Sequence, residues 1–134
     1  MSWPRSRKLT CSHCRFHIES WSDGKPYLRG SDGQRHYFYH PGEPDAWEER
    51  FQIEHHRPSA TQEELHAFVE ARVGHESHYL CLHCGRQTHR DPRHDSLRCT
   101  GCGKARLKKT GYLEGEPCPK CRQGTFHGEM TAIA

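Results

Sequence analysis

The chain has 134 residues, and Leu, Ile, Val and Phe together make up only 18 of them. That is too little for a large α/β enzyme core, and no apolar run is long enough to span a membrane. The net charge of +3 excludes a solvated polyelectrolyte, so something other than aliphatic burial must hold the chain together.

Residues 1–8 are basic and lead into no apolar segment of the signal-peptide kind. They read as a tail on a protein expected in the cytoplasm, with no membrane partner. Residues 15–40 read as a β-meander. Phe16 and Ile18 alternate with polar residues, Tyr27 and Leu28 mark a second strand, and residues 34–40 a third. The Asp23-Gly24 and Asp32-Gly33 pairs supply the turns. Nine of the thirteen aromatic residues fall in residues 1–51. Phe16, Trp21, Tyr27, Tyr37, Tyr39, Trp47 and Phe51 are therefore expected to form one aromatic core, and a stacking surface for nucleic-acid bases is the alternative. After a loop at 40–44, residues 45–52 predict one or two helical turns.

The clearest helix follows. Ser59 with Gln62 has the spacing of a capping box, Leu65, Phe68, Val69 and Val73 form one apolar stripe, and Gly74 stands at the end. The expected organisation is an N-terminal knuckle and aromatic meander at 1–57, a helix and linker at 58–78, and a cysteine-rich region at 79–134. The expected fold class is α+β, small and metal-stabilised, with one amphipathic helix.

All eight cysteines occur as C-x2-C pairs: Cys11/Cys14, Cys81/Cys84, Cys99/Cys102 and Cys118/Cys121. Two thiolates at this spacing sit on one tight turn, and two such turns complete a tetrahedron around zinc. A secreted disulfide framework would show irregular spacing, and a thioredoxin-type centre uses a single pair opening a helix. Four even pairs favour zinc over an iron–sulfur cluster, and eight ligands fit two ions. Either 81/84 joins 99/102 and 11/14 joins 118/121, or 99/102 joins 118/121 and 11/14 joins 81/84. The first is preferred, because Leu80 and Leu97-Arg98 would frame a hairpin around Asp91-Pro92. Gly85 and Gly103 follow their pairs directly, where a positive φ is needed. Pro119 presets the last turn.

The stretches Tyr79-Leu80-Cys81-Leu82-His83-Cys84-Gly85 and Leu97-Arg98-Cys99-Thr100-Gly101-Cys102-Gly103 resemble the paired knuckles of the zinc-ribbon superfamily. The resemblance covers residues 79–124 and implies metal binding. It extends across transcription, translation and scaffold modules without choosing among them. The chain departs from the C-x-x-C-x-G-x-G repeats of DnaJ-type chaperones, because glycine follows only two of its pairs directly.

Thirteen histidines invite a mixed site, with His36 and His40 completing Cys11/Cys14. On a strand, positions i and i+4 lie about 13 Å apart, too far for one tetrahedron. His75, His78, His55 and His56 do not form HExxH, and His13 and His83 lie inside knuckles.

Residues 1–57 carry +1, residues 58–78 carry −3 and residues 79–134 carry +5. Two Zn(Cys)4 sites at −2 each bring the whole chain to −1. The expected function is therefore non-catalytic: an interaction module that favours a protein partner. Nucleic-acid binding through Lys104, Arg106, Lys108 and Lys109 is one alternative. A zinc-linked thiol redox or chaperone-like role is another, and a catalytic metal bound by histidines is the remaining one.

Overall fold

The structure is a computed structural model, and it describes residues 5–21, 24–38 and 44–133. The fold is mixed α and β. The chain separates into two compact units, one built from Met1–Gly24 with Ser77–Ala134 and the other from Lys25–Glu76. The cuts fall at Gly24 and Glu76, whereas the sequence segments meet at 57 and 78.

In the first unit, β1 (Arg5–Cys11) is the central strand of a three-stranded antiparallel sheet, between β2 (His17–Trp21) and β8 (Phe126–Ile133). The basic segment expected as a tail is thus a strand from Arg5 onward, while residues 1–4 lie outside the described residues. Its hydrophobicity is low, but hydrogen-bonded ladders on both edges satisfy its backbone. Leu9 faces Ile18 across one ladder and Gly128 across the other. Leu9 is fully buried and packs with Ile18, Leu80, Leu113 and Phe126, and Cys11 and Cys118 belong to the same cluster.

Also in this unit, the last five residues of β5 (Val73–Cys81) pair with β6 (Gln87–Arg90) on one edge and β7 (Leu107–Lys109) on the other. A single 3-10 turn, Thr110–Tyr112, follows β7, and within it Thr110 Oγ1 donates to Ser20 Oγ at 2.5 Å.

The second unit contains β3 (Lys25–Arg29), which pairs antiparallel with β4 (Arg35–Tyr37) and with the first four residues of β5. Helices α1 (Pro44–His55) and α2 (Gln62–Glu70) supply the rest. Leu28, Phe51, Phe68 and Val69 form the core, with Phe38, Trp47 and Leu65 at its edge. Phe51 meets Phe68 edge-on at 5.2 Å between centroids, a favoured aromatic geometry.

Several expectations change here. There are two helices among the described residues, not one. α1 runs for twelve residues because Pro44 and Asp45 suit a first turn, although its apolar positions form no clear stripe. α2 is capped by Thr61, whose hydroxyl accepts from Glu64 N at 3.1 Å. Ser59 is instead held by Glu48, which accepts from both its backbone N and its hydroxyl. Val73 and Gly74 are not the end of that helix but the start of β5. Gly74 lies opposite Tyr27, and a methyl group there would run into the Tyr27 ring.

The meander is also divided. β2 belongs to the β1–β8 sheet, whereas β3 and β4 belong to the other unit. The aromatic residues divide with it: Phe16 packs on Phe126 at 6.2 Å, while Trp47 and Phe51 join the helical core. Ser22, Asp23, Tyr39, His40 and the rest of the 40–43 loop lie outside the described residues.

Candidate metal centres

Cys11 ends β1 and Cys14 lies in the turn that follows. Cys118 and Cys121 lie in a turn shortly before β8. The β1–β8 ladder places Cys11 opposite Phe126 and so brings the two turns together. Cys11 Sγ stands 3.6 Å from Cys121 Sγ, and Cys14 Sγ stands 3.7 Å from Cys118 Sγ.

The second set is built in the same way. Cys81 ends β5, Cys84 lies in the turn to β6, and Cys99 and Cys102 lie in a turn before β7. Cys81 Sγ is 3.7 Å from Cys102 Sγ, and Cys84 Sγ is 3.5 Å from Cys99 Sγ. The groupings are those of the preferred pairing, but not for the reason given. The 81–84 knuckle itself closes the β5–β6 hairpin, Leu97 is half exposed, and the chain re-enters the sheet only at Leu107.

A tetrahedral ion with metal–sulfur bonds of about 2.3 Å has sulfur–sulfur edges of about 3.8 Å. All four sulfurs of each set lie within 4.8 Å of one another. The close pairs match that edge and are far longer than the disulfide length of about 2.05 Å. Each set could hold one metal ion.

Backbone amides point at the sulfurs. His13 N and Cys14 N donate to Cys11 Sγ at 3.3 and 3.4 Å, Gly101 N to Cys99 Sγ at 3.3 Å, and Lys120 N to Cys118 Sγ at 3.4 Å. Such donors favour the thiolate that a metal needs. The amides of Cys102 and Gly101 help to draw Cys99 down to about 6, and those of Gln123 and Gly124 do the same for Cys121. Cys11 is lowered by the amides of Cys14 and His13. The Phe16 amide also pulls on Cys14, but burial and three crowding sulfurs push it up to about 12. Cys84 likewise rises to about 11, against the pull of the Arg86 amide. Without metal, protons are therefore shared unevenly within each set, and an ion that takes all four sulfurs displaces them.

The residue after each second cysteine has a positive φ: Arg15 at 66°, Gly85 at 82°, Gly103 at 75° and Arg122 at 60°. The expectation for the two glycines holds, and the two arginines adopt the same turn. Their identity hid the fact that all four knuckles turn through a left-handed residue at the same position. Gly124 is required for a different reason, since a methyl group there would meet Cys11 Sγ at 2.6 Å and His13 N at 2.7 Å.

Among the described residues no histidine joins these sets. His36 sits in the second unit with Nε2 at 3.3 Å from Asp32 Oδ1, and His40 lies outside the described residues. His55 stacks on Phe51 at 4.0 Å, and His78 stacks on His89 across the β5–β6 ladder at 4.9 Å. Of the basic run, Lys104 and Arg106 are exposed, Lys108 pairs with Glu116 at 3.6 Å, and Lys109 lies opposite Tyr79. Among the described residues no helix is long and apolar enough to cross a membrane. No family model, no curated protein and no solved structure matches the chain.

Proposed function

We propose that the two cysteine sets bind Zn2+ as structural centres of a zinc-ribbon type, and that the protein is a non-catalytic interaction module for a macromolecule. The observation that carries this reading is the closure of each set: four sulfurs, two from each of two turns, all within 4.8 Å of one another, with two close pairs near the edge length of a zinc tetrahedron. A zinc held by four thiolates has no open position for water or substrate, so it supplies folding energy and fixed loops.

Structural zinc carries about 10–16 kcal/mol of apparent binding free energy, and an ordinary domain has a net stability of about 5–15 kcal/mol. The first unit buries few aliphatic side chains around Leu9, Ile18, Leu80 and Leu113. Metal is the term that offsets this shortage. The chain's own residues then do the rest: amides orient the sulfurs, and positive-φ turns carry the loops back into strands.

Elemental analysis with a thiol count tests the reading. Two zincs per chain, with eight thiols that react only after chelation, are expected. Titratable cystines, or fewer than two metals in fully reduced protein, overturn it. Resistance to mild peroxide with zinc retained separates this reading from a redox role.

A further inference from the structure

Counted by structural unit, charge is segregated. Residues 25–76 hold six Lys and Arg against ten Asp and Glu, or −4, and the remainder holds fourteen against seven, or +7. Two zinc sites at −2 each leave the first unit at +3. The whole-chain balance, which favours a protein partner, hides this difference.

The positive charge gathers on the knuckles. Residues 80–90, 96–113 and 117–128 contain no Asp or Glu. Arg86 Nη1 donates to Thr100 Oγ1 at 3.3 Å, and Arg98 Nη1 donates to Gly103 O at 3.2 Å. Arg122 Nη2 donates to His83 O at 3.1 Å. The Lys120 side chain lies over Gly85, where an added methyl would meet its Cε at 2.8 Å. Arg106 O accepts from Leu82 N at 2.9 Å, and Lys104 O accepts from Cys99 N at 3.0 Å. These six residues are all exposed; four lie on or beside the knuckles of the Cys81/Cys84/Cys99/Cys102 set, and Lys120 and Arg122 reach toward it from the Cys118/Cys121 knuckle.

Among the described residues none of the six pairs with a carboxylate. In the second unit, by contrast, Arg35, Arg50, Arg57 and Arg72 each pair with a glutamate. Neutralising the metal centre does not account for the cluster. Six cations against −4 for the two loaded sets whose knuckles carry them leave +2.

We infer that this cationic knuckle face binds single-stranded nucleic acid. Unpaired guanidinium and ammonium groups suit a phosphate backbone. Tyr112, 69% exposed and three residues past Lys109 in the same unit, offers a ring on which a base can stack. The inference rests on the proposed metal scaffold, which sets the positions of the loops.

The test uses the full zinc-loaded chain and fluorescein-labelled single strands, RNA and DNA, of roughly 20 nucleotides and mixed sequence. Anisotropy is read between about 50 and 200 mM salt. Binding that weakens steeply with salt is expected. The double variant K104E/R106E should lower affinity at least about tenfold and flatten the log–log salt slope by about 1.4, at about 0.7 per lost phosphate contact. Tyr112→Ala should weaken binding about fivefold or more and leave the slope unchanged. Absence of binding at low salt, or unchanged binding by K104E/R106E, overturns the inference. So does equal binding of poly-L-glutamate, which favours an acidic protein, or tighter binding of duplex DNA. Zinc content and the thermal melt are read on the same samples. Two retained zincs without strand binding overturn only the partner, whereas missing zinc overturns the scaffold itself.

Discussion

Cys11 and Cys121 are 110 residues apart in the chain, and their sulfurs lie 3.6 Å apart. The β1–β8 ladder creates this meeting, and a metal bound there would fasten the first strand to the last. Such a tie closes nearly the whole chain into one loop and limits the unfolded ensemble, as well as adding bonds.

Cys121→Ser should therefore reduce the zinc count from two to one. Affinity at that set should fall by more than about 100-fold, beyond the cost of losing an outer-shell partner. Competition with a chromophoric chelator measures it. Cys102→Ser should do the same at the other set, giving two separable losses.

The shared positive-φ turn makes a cleaner backbone test. An added methyl at Gly103 has no neighbour within 4 Å, so Gly103→Ala meets only left-handed strain. A loss of about 1–2 kcal/mol in urea denaturation is expected, with zinc stoichiometry kept. Gly124→Ala should be worse and should lower metal affinity, because its methyl collides with Cys11 Sγ.

In the second unit the Glu76 carboxylate is buried, and its Oε2 accepts from Arg35 Nη1 at 2.5 Å and Tyr37 Oη at 2.8 Å. Arg35→Ala leaves a buried charge without its guanidinium and should cost about 3–5 kcal/mol. Tyr37→Phe removes one hydrogen bond to a charged group and should cost about 1.5–3 kcal/mol. Equilibrium denaturation of the two variants should rank them in that order.

Glu64, in the first turn of α2, ties the preceding segment to the helix by accepting from Ala60 N and from both Arg57 terminal nitrogens. The Arg57 hydrogen bonds, with help from the Ala60 amide, hold its carboxyl at about 2, below the ordinary 4.5. Because the folded value is depressed, this tie contributes stability above pH 4.5 and loses it as pH falls toward 2. An NMR titration of the α2 amides should show this low midpoint, and Glu64→Gln should abolish it.

The sequence showed the four cysteine pairs because ligand spacing survives any surrounding fold, but it left two groupings open, and the strand ladders decide between them. It also showed α2, whose stripe of Leu65, Phe68 and Val69 is buried or half-buried. β1 was not legible, since Arg-Ser-Arg-Lys at its start has no apolar rhythm and one of its two pairing partners, β8, begins more than a hundred residues later. Long-range ladders leave no local trace. Val73 and Gly74 misled for a related reason: the stripe continued past Ala71, but Gly74 was fixed by the Tyr27 ring across a ladder. The arginines after Cys14 and Cys121 concealed a turn that glycine marked elsewhere.

The central claim is that bound metal stands in for a scarce aliphatic interior. Differential scanning calorimetry of the chain before and after stripping by a strong chelator under reducing conditions tests it most directly. The account predicts two bound zincs before stripping and loss of the cooperative transition of the first unit afterwards, restored by stoichiometric zinc. An identical thermogram with and without metal would contradict it.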